Sequence, residues 1–98
     1  MTAYLVELYV SQRDATAVQE GAERTRRAAE ELTREGTPVR YVRSIFVPED
    51  ETCFHLCEAG SAVAVHEVVR RAALRFERVT EVVAEPRDDE QGGPRDDT

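Results

Sequence analysis

The chain has 98 residues, no tryptophan, a mean hydropathy of −0.52 and a formal net charge of −7. That is one domain with a modest Val, Ala and Leu core, and no apolar run nears the ~20 residues of a membrane span. An acidic chain repels phosphate, which argues against nucleic acid as a partner, and no secretory signal precedes the first strand-like segment, so the expected compartment is the cytoplasm.

Residues 3–10 alternate as a strand, with Tyr4, Val6, Leu8 and Val10 on a wholly apolar side and Leu5, Glu7 and Tyr9 on a mixed one. A helix is expected over 16–35, opened by a Thr16/Gln19 capping box and closed by Gly36 and Pro38. Its apolar stripe is Val18, Ala22, Thr25, Ala29 and Leu32. Residues 39–47 form a second strand of undecided facing: Val39, Ile45 and Val47 favour one parity, Val42 and Phe46 the other. The polar turn Pro48–Glu51 leads into a third strand, 52–58, which makes a hairpin with the second. Ser61 can cap a helix over 62–74 with the stripe Ala62, Val65, Val69 and Ala72 and Val68 alongside. A fourth strand, 76–84, is equally ambiguous in facing.

The order βαββαβ is the ferredoxin-like arrangement, an α+β fold with a four-stranded antiparallel sheet and two helices on one face. The domain would span 1–84. Residues 85–98, with six acids against two arginines, read as an acidic disordered tail. The uncovered sheet face would carry Leu5, Tyr9 and Phe46 or Ile45, an apolar surface that suits a homodimer.

Chemistry concentrates in Cys53-Phe54-His55-Leu56-Cys57. If Phe54 and Leu56 face the helices, then Cys53, His55 and Cys57 lie on the open face with Glu7 of the neighbouring first strand. Thiolate, imidazole and carboxylate suit nickel, zinc or cobalt better than magnesium or calcium. Cys53 and Cys57 are too far apart on one strand for a mutual disulfide. The other reading of this stretch is buried thiols beside a hydrogen-bonded histidine. A third is a Cys–His nucleophile, for which no oxyanion donor is evident. Arg43 could pair with Glu7, and His66 reads as a solvated helix residue. With no Gly-rich phosphate loop, Ser-centred elbow or His-Glu-x-x-His pattern, neither an enzymatic activity nor a catalytic residue is assigned.

The blocks Tyr4–Glu7, Val39–Thr52, Cys53–Ala59, Arg70–Ala72 and Arg78-Val79 resemble a family of small actinobacterial proteins long described as a domain of unknown function, one branch of which binds nickel. The resemblance covers roughly residues 3–84. It implies the ferredoxin-like fold, a dimer, and nickel or another divalent transition metal. Two positions depart from the family pattern: His55 stands where Cys is frequent, and Val68 where a His is frequent. The first expectation is therefore a small cytoplasmic metal-binding dimer using Glu7, Cys53, His55 and Cys57. The alternative is a dimeric cyclase, isomerase or small-molecule-binding protein of a biosynthetic pathway, with Tyr9, Tyr41, Arg43 and Ser44 lining a pocket on the open sheet face.

Overall fold

A computed structural model describes residues 1–83, so the acidic segment 85–98 lies outside the described residues. The elements are β1 (Thr2–Tyr9), α1 (Ala15–Arg34), β2 (Val39–Val47), a short 3₁₀ turn (Pro48–Asp50), β3 (Thr52–Ala59), α2 (Ala62–Arg71) and β4 (Arg78–Val82). The sheet order is β2-β3-β1-β4 and every neighbouring pair is antiparallel. Both helices pack on one face. This is the expected ferredoxin-like α+β fold.

Helix α1 starts one residue earlier than expected. Its cap is Asp14, whose Oδ1 accepts from the Ala17 amide at 3.2 Å, in place of Thr16. It ends as the sequence indicates. Gly36 takes φ +106°, and the Thr37 amide reaches back to the Leu32 carbonyl at 2.9 Å, closing a Schellman turn. Ser61 caps α2 through the Ala64 amide. That helix stops at Arg71, short of the expected 74, because Ala73 enters the left-handed region at φ 55° and turns Leu74 into the core. Ala62 is exposed, and the buried stripe is Ala64, Val65, Val68 and Val69. β4 is shorter than expected and begins at Arg78.

Register decides what each strand buries. Tyr4, Val6 and Leu8 stand opposite Cys57, His55 and Cys53, and all six are buried beneath the helices. Cross-strand partners point to the same face, so the facing of β3 is the reverse of the expected one. Phe54 and Leu56 lie on the open face, while the thiols and the imidazole are interior. The physical reason is that β3 is apolar at both parities, since a thiol packs as a small hydrophobe. The buried side of α1 is Gly21, Thr25, Ala28, Ala29 and Leu32, and the small residues at its first four positions let the strand approach closely.

The facing of β2 is settled by a β-bulge. Tyr41 pairs with Cys57 but Arg43 pairs with Leu56, so the register shifts at Val42. Val39 and Tyr41 face the helices before the bulge, Ser44 and Phe46 after it. Both parities in the sequence were informative, each for half of the strand. On β4, Val79 stands opposite Val6 and packs on the core, while Arg78 and Thr80 share the open face with Glu7 and Leu5.

Candidate functional site: a buried Tyr-Ser-His-Cys chain

The bulge places two residues three apart in sequence on the same side of β2. The Tyr41 hydroxyl lies 2.6 Å from Ser44 Oγ, and Ser44 Oγ lies 2.6 Å from His55 Nδ1. On the far side of the ring, Nε2 is 4.0 Å from Cys53 Sγ. The result is a continuous polar chain, Tyr41–Ser44–His55–Cys53, from the edge of α1 to the centre of the domain. His55 is 1% exposed and is, with Thr25, one of two buried polar side chains among the described residues.

Helix α1 is shaped around this ring. A Cβ built on Gly21 would lie 3.2 Å from His55 Nε2 and 3.6 Å from Leu74 Cδ2. A mid-helix glycine costs up to about 1 kcal/mol against alanine, and here it lets the imidazole approach the helix backbone. One turn on, Thr25 Oγ1 donates to the Gly21 carbonyl at 2.6 Å, which satisfies a hydroxyl with no access to water.

Burial holds the site neutral. Desolvation, with the Arg24 guanidinium adding to it, depresses the His55 pKa to about 4. Desolvation pushes both thiols, Cys53 and Cys57, up to about 11. At neutral pH the ring is uncharged, and both cysteines are protonated and free. A neutral imidazole has one donor and one acceptor nitrogen. Ser44 occupies Nδ1, and among the described residues Nε2 has no hydrogen-bond partner but the weak sulfur contact.

The expected site residues divide between the two faces. Cys53, His55 and Cys57 share the helix side. Glu7 is on the open face, where its Oε1 accepts from Arg78 Nε at 2.9 Å. The expected Glu7–His55 proximity is therefore not formed, and Arg78 takes the place proposed for Arg43. Tyr41 and Ser44 are on the helix side, Tyr9 and Arg43 on the open side, so these four do not line one pocket. His66 is exposed and meets the Phe76 ring edge-on at 5.6 Å between centroids. The linkage of Ser44 to His55 was missed by sequence reasoning. The signal for it was the parity conflict in β2, which is what a bulge produces.

As a donor set, a neutral imidazole whose free nitrogen faces a thiol suits a borderline-soft ion in kind. A metal-binding histidine usually donates its other ring N–H to a carboxylate, a backbone carbonyl or water, and here the Ser44 hydroxyl holds that position. In number it supplies two donors. Among the described residues no three His, Cys, Asp or Glu side chains are grouped to hold an ion.

Fold and site together define a small ferredoxin-like α+β domain with a buried histidine–thiol pair. A family model described as nickel responsive protein SCO4226-like matches residues 4–82, and the chain belongs to that family. The crystal structure of SCO4226 from Streptomyces coelicolor A3(2) superposes with a TM-score of 0.65 at 18% identity, covering 86% of this chain and 99% of that one. At that identity the likeness is one of fold. No curated protein matches the chain. No helix among the described residues is long and apolar enough to cross a membrane.

Proposed function

We propose that this protein is a cytoplasmic, homodimeric binder of a nickel-class divalent ion, with His55 Nε2 and Cys53 Sγ as its first two donors. The observation that carries the reading is the orientation of His55. Its Nδ1 is fixed by Ser44, its ring is kept neutral by burial, and its remaining nitrogen faces a thiol at 4.0 Å. Membership of a family described as nickel responsive supports the choice of ion. Cys57 follows on the same buried face and is the nearest further thiol along the strand. Glu7 belongs to the other face and is not part of this donor set.

Binding there requires Cys53 to give up its proton, so affinity should rise with pH. It also requires transient opening of α1 over β3, since neither donor is exposed. The homodimer is read from the uncovered sheet face, where Leu5, Phe54 and Leu56 are half-buried and Ile45 and Tyr9 are 45% and 60% exposed.

Calorimetric titration of nickel, zinc and cobalt into the wild type and His55→Gln tests the assignment. Saturable binding by the wild type, weakened about tenfold or more in the variant, is expected. Equal binding by both would remove His55 from the site, and no binding by either would remove the function.

A further inference from the structure

A second site opens where Tyr41 reaches the surface. Between α1 and the edge strand β2 lies a cleft of about 510 Å³, in the size range of small-molecule sites. Its walls are apolar where Ala29, Val39 and the Tyr41 ring meet, and its rim is cationic, with Arg26, Arg34 and Arg40. Three guanidiniums in one cleft are notable in a chain of net charge −7.

The three arginines are not equivalent. Arg26 pairs with Glu23 and lies 5.0 Å over the Tyr41 ring. Arg40 pairs with Glu58 at 2.9 Å. Both pairs are solvent-exposed and so exchange easily for another anion. Arg34 makes no ion pair among the described residues. The cleft also contains Glu30, whose carboxylate opposes a second negative charge on any occupant. Apolar walls, one guanidinium without an ion pair among the described residues and one opposing carboxylate define a narrow class of ligand.

We infer that the cleft between α1 and β2 binds a small organic monocarboxylate, its carboxylate on Arg34 and its apolar body against Val39 and the Tyr41 ring. The site is separate from the buried thiol, and it stands whether or not the protein binds a metal. Its floor is nevertheless the outer end of the Tyr41–Ser44–His55 chain, so an occupant touches a group hydrogen-bonded, through Ser44, to the imidazole.

The test is two-dimensional amide NMR of the full chain titrated with benzoate, with inorganic phosphate as the anion lacking an apolar body. Metal-free protein is used, so that failure here is distinct from failure of the nickel reading. Saturable millimolar shifts centred on Thr33, Arg34 and Tyr41 are expected with benzoate, weakened about tenfold in Arg34→Gln and absent with phosphate. Arg34 is exposed, and an unchanged spectrum away from the cleft verifies that the variant folds. The inference is overturned by no saturable shift with benzoate, by equal shifts with phosphate, or by shifts that survive the substitution unchanged.

Discussion

His55 is an imidazole that keeps its neutral form because protonation inside the domain is costly. Its pKa falls to about 4 from an ordinary 6.5, chiefly by desolvation and secondarily through Arg24. A depressed histidine pKa means that the unfolded chain takes up the proton first. The neutral ring therefore contributes its full stability above pH 6.5, and this is lost as the pH falls from there to about 4. The shift corresponds to about 3 kcal/mol. Chemical denaturation across that window should show the wild type losing up to this amount more than His55→Gln. Parallel profiles would mean that His55 is not the titrating group. Which residues were chemically interesting was legible in the sequence, because thiols and an imidazole cluster only in 53–57. Their direction was not, because Phe54 and Leu56 alternate with cysteines that pack equally well indoors. The decisive information is the register against β1, where Val6 stands opposite His55, and this is set across 49 residues of chain.

At the scale of elements, α1 and β3 are fitted to each other at Gly21 and His55. Gly21 leaves room for a ring that Ser44 holds from behind. Replacing a mid-helix glycine by alanine ordinarily stabilises by about 1 kcal/mol. Here the added methyl meets Nε2 at 3.2 Å, and the ring cannot withdraw without breaking its bond to Ser44. Gly21→Ala should therefore forfeit that gain in the wild type and recover about 1 kcal/mol in a His55→Ala background. Identical effects in both backgrounds would show that the contact is not constraining. The helices are joined separately by Arg71, which bonds Glu67 on its own helix and Glu35 and Glu31 at the end of α1; hydrogen bonds from Arg70 and then Arg71 hold the Glu67 carboxyl down at about 2. The order and approximate limits of all six main elements follow from periodicity and capping in the sequence. The bulge in β2 does not, since a one-residue insertion in a ladder appears in a single strand only as contradictory parity. Without it Tyr41 and Ser44 would face opposite sides, and the chain to His55 would not exist.

Among the described residues, the molecule is a sheet covered by helices on one side. The open side carries an apolar band from Leu5 through Phe54 and Leu56 to Ile45, flanked at β1 and β4 by the Glu7–Arg78 ion pair. A second copy covering it would need to bury roughly 800 Å² per subunit for a stable pair. Sedimentation should show a dimer at micromolar concentration, and Ile45→Glu should shift it to monomer without unfolding. A monomeric wild type, or a dimer indifferent to the substitution, would place the contact elsewhere. Cys53 and His55 lie on the helix side, so the metal binding proposed for them would be independent of such a dimer.

The most direct test of that metal site is the near-ultraviolet absorption of the protein on addition of nickel, wild type beside Cys53→Ser. Sulfur-to-nickel charge-transfer bands that saturate in the wild type and vanish in the variant are expected if the buried thiol is a donor. Bands that persist without Cys53, or a wild type with no such bands at any nickel concentration, would contradict the assignment and leave Tyr41–Ser44–His55–Cys53 as a structural hydrogen-bonded core.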